Sequence, residues 1–242
     1  MPRQHCLVSQ APGGQNKPTT NPQGVRNLKV VLLAATGRAG RTILSELVSR
    51  GHEVTAVARN LDKLPEQLPA TVKRVRDDLD DEARIAEIIK AADAVVSAFG
   101  PSGSDPRYAT DETYTDQLVG VTERAIAAVR KPGISRLIVV GGCGSLYFSP
   151  GVTVLDSGHW PQQYVPIAKS HMKALAALRS SGINWTYFSP PMLITPGERL
   201  GGDDLIKDVE GKSRVSFEDY AIALVDELEK PAHERARFTI GY

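Results

Sequence analysis

Cysteine is nearly absent from this chain: among 242 residues only Cys6 and Cys143 are cysteines. One sits in a polar tail and the other follows an apolar segment. That placement excludes a disulfide framework and a zinc site, so no metal is expected, and it fits a reducing, cytoplasmic location. Cys143, in Gly141-Gly142-Cys143-Gly144, reads as a small packed residue ahead of a reactive thiol. An excess of one charge is also missing. With 29 basic and 28 acidic residues and a net charge of +1, the chain has no overall field to attract nucleic acid or an anionic membrane. No apolar run approaches the roughly 18 residues of a membrane helix, so no membrane partner is expected. Acids are absent altogether from residues 1–27, where Pro, Gly, Gln, Asn and Thr dominate without apolar periodicity. Such a segment cannot offset the entropy of ordering and reads as a disordered extension, with a single domain over 28–242. Arg3, Lys17 and Arg26 without any acid raise a transit peptide, against which the scattered prolines and glycines argue.

What the chain does have begins at Val30. Val30-Val31-Leu32-Leu33 reads as a buried strand, Ala34-Ala35-Thr36-Gly37-Arg38-Ala39-Gly40 as a turn opening a helix, and Val54 to Asn60 as a second strand. The helix places Ile43, Leu44, Leu47 and Val48 on one face and stops at Gly51. A helix N-terminus offers unpaired N–H groups and positive dipole to a pyrophosphate, and glycines permit close approach. A dinucleotide site is therefore expected, although the first glycine of Gly-x-x-Gly-x-x-Gly is replaced by Ala34. The second strand ends on Arg59-Asn60 with no carboxylate. An NAD site usually has Asp or Glu there, whereas an arginine suits a 2′-phosphate. NADP(H) is the expected cofactor, gripped by Arg59 and reached by Arg38, unless both are merely solvated.

Strand and helix alternate onwards. Thr71 to Val75 reads as strand three, Glu82 to Lys90 as a helix, Ala94 to Phe99 as strand four, and Asp111 to Arg130 as one long helix stopped at Pro132-Gly133. Leu137 to Val140 is strand five, Val165 to Ser180 a helix, and Asn184 to Phe188 a strand before a Pro/Gly-rich loop over Pro190 to Gly202. Ser216 and Asp219 start a helix with Phe217, Tyr220, Ala221, Leu224, Val225 and Leu228 on one face, and Arg237 to Ile240 is a last short strand. This rhythm predicts an α/β fold, a doubly wound parallel sheet of the Rossmann type, with ligands at the carboxyl ends of its strands.

Several segments together resemble the atypical short-chain dehydrogenase/reductases of the NAD(P)H-binding, NmrA-like group: Ala35 to Gly40, Arg50 to Val54, Val57 to Asn60, Asp78-Leu79-Asp80, Val140 to Leu146, Trp185 to Pro191, and Arg237 to Tyr242. The resemblance implies backbone contacts from Thr36, Gly37, Arg38, Ala39 and Gly40 to the pyrophosphate and from Arg59 to the adenosine phosphate. It also implies Asp78 and Leu79 flanking the adenine and Ala98, Phe99 and Gly100 beneath the cofactor ribose. Asp78 could instead cap a turn in its acidic run, and Pro190 and Pro191 either shape the nicotinamide pocket or end a strand. Typical short-chain reductases pair a tyrosine acid with a lysine four residues on, the ammonium lowering the phenol pKa. Here Tyr164 is followed by Ala168 at that spacing and by Lys169 one place later, which swings the lysine off the tyrosine's face. Ser145 stands near the expected serine.

The segment Ser170 to Ile183 is also similar to the flavin reductase/biliverdin-IXβ reductase branch, which implies a pocket role for His171 and catalysis largely by positioning. A second histidine of that pattern is Leu175 here, so His171 could equally be an ordinary cap or surface residue. Two function classes follow. One is an NADPH-dependent oxidoreductase acting on a small flat or carbonyl acceptor such as a flavin, quinone or aldehyde, with Ser145, Tyr164, His171, Pro191 and Met192 about its pocket. The other is a non-catalytic NADP(H)-binding sensor that regulates a partner. A monomer or a homodimer suits either.

Overall fold

A computed structural model describes residues 26–130, 134, 136–200 and 214–242. In chain order the elements are β1 (Lys29–Leu33), α1 (Arg38–Ser49), β2 (Glu53–Ala58), β3 (Val72–Arg76), α2 (Glu82–Ile89), β4 (Ala94–Ser97), α3 (Glu112–Thr115), α4 (Gln117–Val129) and β5 (Arg136–Val140). There follow β6 (Tyr147–Ser149), β7 (Val152–Thr153), α5 (Val165–Ser180), β8 (Trp185–Ser189), β9 (Leu193–Thr195), β10 (Arg214–Ser216), α6 (Phe217–Glu229) and β11 (Ala236–Thr239). Seven strands form one sheet in the order β11-β8-β5-β4-β1-β2-β3, and every pairing in it is parallel. The chain runs outwards from β1 to β3, then crosses to β4 and runs outwards again, so the order reverses between β1 and β4. That reversal opens a crevice at the carboxyl ends of those two strands.

Alternation along the strands builds two cores. Val30 and Leu32 of β1 face α1 and α6, joining Ile43, Leu44, Leu47, Tyr220 and Leu224. Val31 and Leu33 face the other way, towards Ile85 and Ile89 of α2, Val121 and Ala125 of α4, and Leu175 and Leu178 of α5. On the first face Phe188 lies stacked between Tyr220 and Phe238, at 3.9 and 4.1 Å between centroids. At the amino-terminal end of the strands, Arg50 holds Glu46, Asp226 and Glu229, tying α1 to α6, and Arg136 at the start of β5 pairs with Glu227. The α1 stop stands where expected, at Gly51 with φ +80. Ser216 caps α6 by accepting the Asp219 N–H at 2.9 Å.

The long helix expected over Asp111 to Arg130 is instead two, α3 and α4, parted at Asp116. Asp116 accepts the Ser170 hydroxyl at 2.7 Å and pairs with Lys173 at 2.8 Å, so a tertiary contact to α5 overrides helical periodicity there. Strand four ends at Ser97, ahead of Phe99, and the loop from Pro190 carries β9, which pairs in parallel with β10. The extension over 1–25, the Pro132-Gly133 stop and the end of the Pro190 to Gly202 loop lie outside the described residues. Arg26, the first described residue, pairs with Asp93 at 3.0 Å.

Candidate active site

At the end of β1 the backbone turns sharply. Ala34 takes φ +60, the left-handed region that glycine enters freely, so its alanine is strained where the repeat would carry glycine. The turn is secured by Gly37 N–H donating to the Ala34 carbonyl at 3.2 Å and Ala35 N–H to Val57 at 2.9 Å. Gly40 then packs directly on that turn: an added Cβ would overlap the Ala34 carbonyl oxygen and lie 3.1 Å from two Ala35 backbone atoms. Gly37 caps α1 in extended geometry, with no side-chain cap and no acid in the first turn. The helix's first N–H groups therefore face outwards unpaired beside exposed Gly37 and Arg38. Ala98 closes the other wall, its N–H bonded to the Leu33 carbonyl at 3.0 Å. Gly100 opens on free space, and Phe99 packs inwards against the α2 to α5 core.

Arg59 lies exposed just beyond β2 and makes no ion pair or hydrogen bond among the described residues. Asn60 beside it caps the following turn by accepting the Asp62 N–H at 2.9 Å. In the acidic run, Asp77 accepts the Leu79 N–H at 2.8 Å and Leu79 takes φ +67. The Leu79 side chain is buried in the α2–α4 core, so an adenine could meet this turn's backbone and not that side chain. Asp78 is exposed and crowds Asp80, raising the Asp80 pKa through their hydrogen bond and like charge. It caps no helix; Asp81 caps α2.

The second half of the site comes from β5, α5 and β8. The chain leaving β5 lies flat on its neighbours because three positions have no side chain. An added Cβ at Gly141 would overlap the Tyr187 ring, at Gly142 would come within 2.7 Å of the His171 ring, and at Gly144 within 3.0 Å of the Ala168 Cβ. Tyr187 of β8, fully buried, is the hub: its hydroxyl lies 3.2 Å from Gly142 N, 3.0 Å from His171 Nδ1 and 3.0 Å from the His171 carbonyl. Burial pushes the His171 pKa down to about 4 and the Tyr187 pKa well up. Sequence reasoning left His171 open between this pocket and an ordinary cap or surface position, and it passed over Tyr187, whose trace was the glycine-rich Gly141 to Gly144 segment facing an aromatic strand. It also passed over Arg237 of β11, which donates to the Ser145 carbonyl at 2.6 Å and more distantly to its hydroxyl at 3.4 Å.

Ser145 follows a segment laid along α5, with Gly142 against His171 and Gly144 against Ala168. Tyr164 stands at the start of α5, 44% exposed and edge-on to Tyr108 at 6.5 Å. Lys169 does not join it. Its ammonium pairs with Glu112 of α3 at 3.3 Å, on the outer side of α5. Pro191 is buried after β8, with Met192 beside it 50% exposed. Burial raises the Cys143 thiol to about 11, consistent with a packed residue. Among the described residues no cluster of His, Cys, Asp or Glu could hold a metal.

Comparison with known proteins decides the family: a profile described as NAD(P)H-binding matches residues 34–231. The chain belongs to this NAD(P)H-binding family. Its relatives include the uncharacterized protein YwnB of Bacillus subtilis, 37% identical over 88% of this chain and 98% of that one. A structure from Bacteroides thetaiotaomicron, provisionally named an epimerase, is 36% identical with a TM-score of 0.78, covering 90% of this chain and 98% of that one. Another from Streptococcus pneumoniae, provisionally named an NADH-flavin reductase, is 32% identical with a TM-score of 0.75, covering 88% and 99%. The uncapped α1 terminus and the close approach at Gly40 are what a family member needs to seat a dinucleotide, and the residues present fit that group. No described helix is long and apolar enough to cross a membrane.

Proposed function

We propose that this family member is an NADPH-dependent reductase acting on a small flat or carbonyl acceptor, a flavin, quinone or aldehyde. The observation that carries the cofactor choice is Arg59, exposed and unpaired where an NAD site would have a carboxylate. The N–H groups of Thr36, Arg38, Ala39 and Gly40 receive the pyrophosphate while Gly37, whose own N–H holds the Ala34 carbonyl, lets it approach the backbone; Arg59 and Arg38 receive the 2′-phosphate, and the segment Ala98 to Gly100 lies beneath the ribose. When bound, the cofactor supplies the hydride. The chain's part is to hold an acceptor in place: Pro191 and Met192 form an apolar wall, and the Ser145 hydroxyl, on a loop pinned by Arg237, can donate to an acceptor carbonyl. With Lys169 bound to Glu112, the tyrosine–lysine pair of a typical short-chain reductase is not assembled, so catalysis rests on positioning more than on general acid transfer. The name carried by the pneumococcal neighbour supports a flavin as one acceptor.

The same Lys169 geometry favours a second reading, a non-catalytic NADP(H) sensor acting on a partner. A panel of flavins, quinones and aldehydes separates the two. Steady NADPH oxidation with any acceptor supports the reductase, and tight NADPH binding without turnover across the panel supports the sensor. The free, buried Cys143 supports a reducing, cytoplasmic setting.

A further inference from the structure

We propose that Tyr187 is a positioning residue that locks His171 in the Nδ1–H tautomer, so that Nε2 offers the acceptor site a lone pair and selects ligands presenting an N–H or O–H donor. The argument is an accounting of one phenol proton. A tyrosine hydroxyl has one hydrogen to give and two lone pairs to receive. Its three neighbours here are the Gly142 N–H at 3.2 Å, the His171 carbonyl at 3.0 Å and His171 Nδ1 at 3.0 Å. The amide can only donate and the carbonyl can only accept. Were the phenol proton given to Nδ1, the phenol oxygen would face the carbonyl oxygen at 3.0 Å, lone pair against lone pair, in a buried place. The proton therefore goes to the carbonyl, and Nδ1 must carry hydrogen and donate to the phenol. Every bonding position on the Tyr187 oxygen is then filled.

A neutral imidazole with hydrogen on Nδ1 has none on Nε2. Burial keeps His171 neutral at physiological pH. Nε2 has no partner among the described residues, and His171 is half-buried, which leaves that nitrogen as the open side of the ring. The ring lies on Gly142, at the carboxyl end of β5. The acceptor at His171 Nε2 thus matches a ligand edge bearing N–H, such as the N–H of an imide or lactam. This ligand class rests on the reductase reading above, whereas the tautomer does not.

The tautomer is read directly by long-range proton–nitrogen correlation of the imidazoles in 15N-labelled protein, with His171 assigned by loss of its signals in His171→Gln. The wild type is expected to show the Nδ1–H pattern, and Tyr187→Phe, which keeps the ring but removes the hydroxyl, to move it towards Nε2–H. Riboflavin and its N3-methyl analogue, bound to protein saturated with NADP+, test the ligand class without turnover. Loss of one neutral hydrogen bond should weaken the methylated flavin by roughly three- to tenfold, and Tyr187→Phe should abolish that preference. An Nε2–H pattern in the wild type would overturn the proposal even if Tyr187→Phe failed to fold. So would equal binding of the two flavins, or a preference unchanged in Tyr187→Phe. Failure to oxidise NADPH with any acceptor would instead strike the reductase reading, leaving the tautomer and binding results standing.

Discussion

Replacing Gly40 by alanine should damage folding and cofactor binding together, because the added methyl meets the backbone of the Ala34–Ala35 turn. Its Cβ would overlap the Ala34 carbonyl oxygen and stand 3.1 Å from the Ala35 Cα and carbonyl carbon. Comfortable carbon contacts begin near about 3.5 Å, so the start of α1 would have to retreat from β1 by something on the order of 0.5–1 Å. The turn cannot yield instead, since Ala34 is already at φ +60 and its carbonyl receives Gly37 N–H. Overpacking against backbone this close falls at the upper end of the usual range, about 2–3 kcal/mol, offset in part by the roughly 1 kcal/mol that alanine gains over glycine in a helix. A net loss of about 1–2 kcal/mol lowers the melting temperature by roughly 2–8 °C in a domain of this size. The same retreat pulls N–H donors off the pyrophosphate, and losing one charge-assisted bond, worth about 1.5–3 kcal/mol, weakens NADPH at least about tenfold. Gly37→Ala is the control for stability. A Cβ there meets only the Ala34 and Ala98 carbonyl oxygens, at 3.6 and 3.9 Å, and its φ of −66 suits alanine, so its stability should change by less than about 0.5 kcal/mol. Thermal unfolding and calorimetric titration with NADPH measure both quantities. A Gly40→Ala variant with wild-type melting and wild-type affinity would refute the reasoning.

Tyr164→Phe should lower turnover by less than about tenfold, because Lys169 pairs with Glu112; a loss in the 10²–10⁴ range of a missing general acid, shared by Lys169→Ala, would show that the pair assembles after all. Arg50→Ala removes one partner from the carboxylates of Glu46 and Glu229, which keep Arg199 and His52, so denaturant unfolding should show a loss of about 1.5–3 kcal/mol, and an unchanged stability would contradict the network's importance. His171, held down to about 4 from an ordinary 6.5, binds its proton more readily unfolded than folded. Its share of stability is therefore complete above pH 6.5 and lost as pH falls from there towards 4, and a titration of the His171 ring by NMR with a midpoint near 6.5 would contradict this.

Much of the nucleotide half was legible in the sequence because it depends on local chemistry. The apolar run of β1, the glycines at 37 and 40, the stop at Gly51 and the arginine after β2 each act within a few residues of where they stand. The corner proposed for the acceptor was less legible because it is made by long-range contact. Tyr187 meets His171 and Gly142 across three elements, and no period in one strand reveals that its hydroxyl is a hub. The break at Asp116 was hidden for the same reason, since its partners Ser170 and Lys173 lie on α5. The displaced lysine was visible from spacing alone: one residue moves a side chain by about 100° on a helix. The structure accordingly finds Lys169 on Glu112.

The preference of Arg59 between the two nicotinamide cofactors tests the account most directly. Titrating wild-type protein and Arg59→Ala with NADPH and with NADH should show NADPH bound more tightly by the wild type. The variant should lose roughly ten- to a hundredfold for NADPH, since bonds from a guanidinium to a phosphate are worth about 1.5–3 kcal/mol each, with NADH nearly unchanged. Equal losses for both cofactors, or a wild type that prefers NADH, would contradict it.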